Sequence, residues 1–139
     1  MKINIDKKKM FDGMNRQTAL LALKSESSLL IASSDDDEAR VEPLWLASID
    51  ELLQLMLPYA RMSVTDGGAE FLLALPSNWD DAQADSMQLL ADNYVETALT
   101  ARWLENVKPD SAMLLRSLNN STASAINELL YARKKMSRE

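Results

Sequence analysis

The sequence contains no cysteine and no histidine, and these two absences exclude most of the catalytic and metal sites that can be recognised in a sequence. Without cysteine there are no disulfides and no thiolate ligands for a metal. Without histidine there is no serine–histidine triad, no HExxH zinc site and no Glu-x-x-His di-iron site. The sequence therefore predicts a protein that is not an enzyme. It implies no metal, no cofactor and no small-molecule substrate.

Glycine is scarce, and long apolar runs are missing. The three glycines are Gly13, Gly67 and Gly68, and they cannot form a P-loop or a dinucleotide-binding fingerprint. No apolar run approaches the roughly 20 residues that span a bilayer. The N-terminal segment MKINIDKKKMF also lacks the apolar core of a signal peptide. We therefore expect a cytoplasmic protein with no membrane segment.

Charge is distributed unevenly along the chain, whose formal net charge is −6. Residues 35–105 hold 15 acids and 3 bases, whereas residues 1–34 and residues 106–139 each hold 6 bases and 3 acids. An acidic middle argues against a nucleic-acid groove on the body of the fold. We expect the basic ends to dock on the acidic middle, either within one chain or between copies.

The length and the apolar periodicity indicate one helical domain over residues 1–139. The predicted fold is mainly α, a bundle of about four helices with one β-hairpin. Asp6 is the expected N-cap of a first helix that ends near Lys24. A second helix either begins near Asp36 and is kinked at Pro43 or begins with Pro43 at its first position, and it ends near Pro58.

The hairpin is predicted from a change of period at about residues 62–75. Asp66-Gly67 separates two runs that alternate in polarity, which is a strong local hairpin signal. The short segment Lys2-Ile3-Asn4-Ile5 also alternates, and it is either a strand or an extended arm. Asp110 is the expected cap of a last helix that runs to about Met136. Its buried side is predicted to carry Leu115, Leu118, Ile126 and Leu129. The poor helix formers at Asn119-Asn120 allow a break in that helix.

The stretch from Asp80 to Val107 has no glycine or proline, and we predict that it forms the central helix. One wide apolar face at helical spacing comprises Met87, Leu90, Ala91, Tyr94, Val95, Ala98, Ala101 and Leu104. Asp92 and Glu96 lie one turn apart on the opposite side. They could pair as an acid and a base, but a stripe that faces solvent is the favoured interpretation. Because Leu99 and Trp103 interrupt that polar arc, several neighbours should cover this helix.

The second side of the central helix supplies the candidate interface, which consists of Leu89, Leu99 and Trp103. An exposed tryptophan beside two leucines would be unusual on a monomer surface. Two elements are candidates to cover these side chains. The first is the N-terminal segment of the same chain, through Ile3, Ile5 or Phe11. The second is another subunit, in which case Trp103 is an interface anchor.

Two charged clusters are weighed as binding sites. The basic tail at about residues 133–139 offers Arg133, Lys134, Lys135 and Arg138 as candidate contacts for a partner or for phosphates. Its plainer interpretation is a helix end that improves solubility. The run Asp35-Asp36-Asp37-Glu38 lacks the ligand spacing of an EF-hand loop, so a solvated helix start is favoured over a cation site.

Several local features occur together. An acid-started helix carries Leu44-Trp45, the central helix carries Leu99 and Ala101–Leu104, and the chain closes on Leu130-Tyr131-Ala132-Arg133-Lys134-Lys135. In this combination the chain resembles small uncharacterised proteins encoded in bacterial prophage structural regions, near the head–tail connector and tail-completion genes. The resemblance implies a non-enzymatic role in the virion or its assembly, such as a ring subunit. It assigns no role to individual residues.

The leading functional hypothesis is a structural or assembly protein that acts through protein–protein contacts, including self-association. It would be virion-associated if the phage resemblance holds. The alternative is a small regulatory or antitoxin-like binding module that uses its basic C-terminal tail. Gene neighbours separate the two hypotheses, because terminase, portal and tail genes fit the first and a toxin or promoter fits the second.

Overall fold

A computed structural model describes residues 1–25 and 38–133. In chain order these residues form β1 (Lys2–Asp6), α1 (Lys7–Ser25), α2 (Glu38–Met56), β2 (Ala60–Thr65), β3 (Gly68–Leu73), α3 (Ala84–Leu104) and α4 (Pro109–Leu130). A 3₁₀ turn at Asp81–Gln83 precedes α3. The prediction of a mainly helical fold is confirmed for this part of the chain.

The strands form one antiparallel sheet in the order β1-β3-β2. β2 and β3 form a hairpin over residues 60–73, with Asp66 and Gly67 between the strands. β1 adds a third strand, because pairing with β3 places Ile3 and Ile5 in the core. The predicted single hairpin therefore accounts for two of the three strands in the described residues.

Gly68 lies between the two edge strands, where a side chain has no room. It pairs with Asp6 of β1 on one side and with Thr65 of β2 on the other. A Cβ at this position would overlap the carbonyl oxygen of Ile5. Glycine is therefore required here by the close approach of two backbones.

The first two helices begin close to where the sequence predicts them. The Asp6 carboxylate accepts hydrogen bonds from the backbone N–H groups of Lys8, at 3.0 Å, and Lys9, at 3.4 Å, which confirms Asp6 as the N-cap of α1. Pro43 lies inside α2 rather than at its first position. The alternative that the second helix begins at Pro43 is therefore wrong.

α3 is the central helix, and it packs against α1, α2, α4 and β1. Its buried residues are Met87, Ala91, Val95, Ala98, Leu99, Thr100, Ala101 and Leu104. The four consecutive buried residues from Ala98 to Ala101 cover every side of one helical turn. The prediction that several neighbours surround this helix is confirmed.

α4 differs from its prediction at its start. Pro109 occupies the first turn and Lys108 is the N-cap, with no side-chain hydrogen bond from that cap. Asp110 is therefore not the cap, although as an acid in the first turn it still faces the positive end of the helix dipole. Proline at this position is favourable because its missing N–H would have had no helical partner.

α4 also continues where a break was expected and ends earlier than predicted. It is unbroken through Asn119 and Asn120, and it ends at Leu130. Asn119 is buried, and its amide donates a hydrogen bond to the carbonyl oxygen of Tyr94 in α3, at 3.2 Å. This bond engages a side chain that would otherwise compete for the helix backbone.

Candidate functional site

The three residues of the predicted interface occupy different environments. Leu99 is fully buried in the main core of this chain, so its side chain is not available for contact with a second subunit. Trp103 is half-buried and packs against the same core. Leu89 is 62% exposed, and it remains a candidate for contact with a partner.

Trp103 is partly covered by residues of this chain. It packs against the buried pair Leu104 and Ala112, and Leu21 of α1 and Leu115 of α4 pack against the same pair. It also packs against the main core, which contains Ile3 and Ile5. Phe11, the third residue expected to cover it, meets Trp45 of α2 edge-on, with ring centroids 6.2 Å apart.

The polar arc of α3 is covered by α1, so the expectation that Asp92 and Glu96 face solvent is wrong. Their side chains are 13% and 23% exposed. The Lys9 ammonium lies 3.2 Å from the Asp92 carboxylate, and the Gln17 amide donates to Glu96 at 3.0 Å. These carboxylates join two helices, and this role accounts for them without an acid–base pair.

α1 approaches α3 closely because Gly13 has no side chain. Gly13 is buried, and a Cβ there would overlap the carboxylate of Glu96. The Arg16 guanidinium lies one turn further along α1, 3.9 Å from the same carboxylate. The glycine that weakens α1 as an isolated helix thus makes room for its contact with α3.

A second polar cluster links α2, α3 and α4. The Arg102 guanidinium of α3 lies 2.8 Å from the Glu51 carboxylate of α2, and Arg116 of α4 pairs with Glu105. Burial raises the pKa of the Tyr94 phenol above its ordinary value of 10.0, and the negative charge of Glu51 raises this pKa further. Each cation in this cluster has a carboxylate partner, so the cluster fixes helix positions and offers no unpaired charge to a ligand.

The described part of the basic tail serves as a helix end. The Arg133 guanidinium donates to the carbonyl oxygens of Leu130, at 3.1 Å, and Ala132, at 2.9 Å. The Trp79 indole N–H donates to the Leu129 carbonyl oxygen at 2.7 Å. These donors satisfy carbonyl groups that the end of α4 leaves without helical partners. Lys134, Lys135 and Arg138 lie outside the described residues.

The described side chains bring no three potential metal-ligating groups together. Asp35, Asp36 and Asp37, which the sequence analysis weighed as a cation site, lie outside the described residues. Among the helices of residues 1–25 and 38–133, none is both long enough and apolar enough to cross a bilayer.

The surface that the sequence analysis missed is the outward side of α4. Between Asp110 and Glu128 the exposed residues are Met113, Leu114, Ser117, Leu118, Asn120, Ser121, Ser124 and Asn127, which together we name the α4 outer face. Met113, Leu114 and Leu118 are 69%, 63% and 57% exposed. Leu118 was predicted to be buried, and Asn119 is buried in its place. None of the eight residues of this face is charged.

The compositional signal for this face is present in the sequence. Residues 111–127 contain one charged residue, Arg116, in a chain of which 26% of the residues are charged. By contrast, the exposed residues of α1 between positions 8 and 16 are Lys8, Lys9, Asp12 and Arg16, all of them charged. An exposed helix face without charge is therefore not a general property of this protein.

None of the protein-family models, curated proteins or solved structures with which the chain was compared matches it. Several of the described acids and bases join one helix to another. The α4 outer face is exposed and uncharged, with three large apolar side chains among serines and asparagines. Such a face suits binding to another protein rather than chemistry on a small molecule.

Proposed function

We propose that this chain is a non-enzymatic structural or assembly protein that acts through protein–protein contacts. The observation that carries the proposal is the α4 outer face, where Met113, Leu114 and Leu118 are exposed among uncharged residues. The buried centre of a protein interface is depleted of charged residues and enriched in methionine. Contiguous exposed apolar surface also marks sites of interaction on soluble proteins.

Within this proposal, the biological setting is phage assembly at the head–tail junction or during tail completion. The resemblance to small prophage structural-region proteins supports this setting. The absence of histidine and cysteine supports a role that needs no catalysis. A component of this kind works by occupying a place in a larger assembly. A folded helical domain with one protein-binding surface is sufficient for that role.

The test is deletion of the gene from the lysogen that carries it, followed by prophage induction. We expect heads and tails to remain unjoined in electron micrographs and the yield of infectious particles to collapse. A plasmid copy of the wild-type gene should restore the yield. A normal yield from the deletion strain would contradict the proposed setting.

Two matched variants connect this test to the α4 outer face. Leu114→Glu places a charge in the face, and Leu20→Glu places the same charge at a leucine of α1 that is 60% exposed. Both substitutions are at exposed helical sites, so both proteins should fold. We expect only Leu20→Glu to restore infectious particles. Equal complementation by both variants would mean that this face is not the working surface.

The regulatory alternative makes a different prediction for the same protein. A tail that binds nucleic acid would produce a mobility shift that weakens steeply with salt. Because Arg133 already donates to backbone carbonyl groups, such binding would depend on Lys134, Lys135 and Arg138. A shift that disappears when these three residues are replaced by alanine would favour the alternative.

A further inference from the structure

We infer that the partner of the α4 outer face is the α4 outer face of a second copy of this chain, packed antiparallel about a two-fold axis. This inference rests on the proposed function, since it names the partner of the same surface. It adds a specific occupant, a register between the two helices and a residue pair that can be cross-linked.

Charge favours a second copy as the occupant. Two copies of a chain with net charge −6 repel each other, and a two-fold interface brings each surface patch against itself. A charged patch would then meet like charge. The eight residues of the α4 outer face carry none, so two copies can meet there without that cost. The charged exposed residues of α1 do not offer the same opportunity.

The spacing of large and small residues defines the register. Met113, Leu114, Ser117, Leu118 and Ser121 recur at intervals that place them along one stripe of the helix. An antiparallel pairing that sets Leu114 opposite Ser121 of the second copy also sets Leu118 opposite Ser117. Both leucines then meet a serine, which allows interdigitation at close helix separation. The two-fold axis repeats both contacts.

The ends of the stripe are consistent with this register. Acidic residues bound the stripe, Asp110 at one end and Glu128 at the other. The same antiparallel register brings Lys108, just outside α4, level with Asn127 and next to the level of Glu128 of the second copy. Each end of the pair then holds one base, Lys108, and two acids, Asp110 of the same copy and Glu128 of the other, within about 5 Å along the helix axis. A parallel pairing would instead place Glu128 beside Glu128.

Association of the purified full chain is the first test. We expect light scattering and sedimentation over a micromolar to millimolar concentration series to show a monomer–dimer equilibrium. Leu114→Glu and Leu118→Glu should weaken dimerisation about tenfold or more, because the charge would be buried at the centre of the contact. Leu20→Glu should leave dimerisation unchanged. Circular dichroism would verify that the three variants are folded.

Cross-linking tests the register without introducing charge. The chain has no cysteine, so Leu114→Cys and Ser121→Cys each provide a unique thiol. A mixture of the two variants should form a disulfide-linked dimer on mild oxidation. Either variant alone should form little, because equivalent positions would be about 10 Å apart along the helices, beyond the reach of a disulfide.

Each contrary outcome overturns a defined claim. A monomer at every concentration overturns the second copy as occupant, whereas the proposed assembly role fails only if the deletion strain makes normal particles. A dimer that Leu114→Glu does not weaken overturns this face as the contact. Efficient cross-linking of Leu114→Cys to itself, with no heterodimer of the two variants in the mixture, overturns the antiparallel register.

Discussion

Gly13 shows at the scale of one residue how a locally unfavourable choice becomes favourable in the fold. Glycine inside a helix costs about 1 kcal/mol relative to alanine. In this protein the nearest atoms to a Cβ at position 13 would all belong to the Glu96 side chain. That side chain accepts a hydrogen bond from Gln17 at 3.0 Å. The position therefore exchanges helix propensity for a polar contact between α1 and α3.

The contact between these positions predicts that substitutions at Gly13 and Glu96 have strongly coupled effects on the free energy of unfolding. Gly13→Ala alone should change the free energy of unfolding by less than about 0.5 kcal/mol or lower it, because displacement of Glu96 offsets the gain in propensity. In a Glu96→Ala background the same substitution should stabilise the protein by about 1 kcal/mol. Urea unfolding of the wild type, the two single variants and the double variant measures this coupling as a double-mutant cycle. Equal stabilisation in both backgrounds would contradict the contact.

Tyr94 predicts a pH dependence with a definite sign. Because burial raises its pKa in the folded state, the unfolded chain loses the phenolic proton first as pH rises past the ordinary value of 10.0. The contribution to stability is thus fully present below that pH and is lost above it. We expect the free energy of unfolding of the wild type to fall relative to that of Tyr94→Phe from about pH 9 to about pH 11. A constant difference over that range would contradict the shift.

At the scale of an element, α4 is held by residues that come from elsewhere in the chain. Trp79, which precedes α3, is buried and donates its indole N–H to Leu129 near the end of α4. The backbone of Trp79 also forms a β-bridge with Arg133. The end of α4 is therefore tied to the start of the central helix as well as packed along it.

This connection predicts a local effect for Trp79→Phe. The substitution keeps an aromatic ring but removes the indole donor from the Leu129 carbonyl oxygen, which still accepts from the Ala132 N–H at 3.1 Å. The loss of this one hydrogen bond should cost about 1 kcal/mol. Hydrogen exchange gives the sharper measurement. Amides in the last turn of α4 should lose protection before those near Ala112 in its first turn. A uniform loss along α4 would indicate general destabilisation instead.

At the scale of the whole molecule, the N-terminal region docks on the acidic middle within one chain. Lys2 pairs with Glu70, Lys7 with Glu42, Lys9 with Asp92 and Arg16 with Glu96. These pairs connect β1 and α1 to three other elements. Each surface pair contributes only about 0–1 kcal/mol, so their main effect is to orient the elements that the core holds together.

The charge arrangement predicts different effects for neighbouring lysines. Lys9→Glu places a carboxylate beside Asp92, whereas Lys8→Glu makes the same change of net charge at an exposed position of the same helical turn. We expect Lys9→Glu to be more destabilising by about 1 kcal/mol at low salt. The difference should shrink as salt screens the repulsion. Thermal unfolding of both variants at two ionic strengths measures it, and equal effects would contradict the pairing.

Features that depend on near neighbours in the chain could be recognised from the sequence alone. The spacing of apolar residues located α3 as the central helix, Asp66-Gly67 located the hairpin turn, and Asp6 located the start of α1. Each of these signals is contained within one or two turns of backbone or one tight turn. Their physics is local, so they can be recognised without knowing what packs against them.

Which helix faces meet could not be read from the sequence, because it depends on contacts between distant parts of the chain. The sequence placed Asp92 and Glu96 on a polar arc, but it could not indicate that α1 covers that arc through Gly13. It assigned Leu118 to the core, whereas Asn119 is buried because Tyr94 of α3 supplies a backbone acceptor. Such choices depend on contacts between residues distant in sequence, such as Asn4 and Gln88, 84 positions apart. The α4 outer face is defined in the same way, because a residue is exposed only when no distant part of the chain covers it.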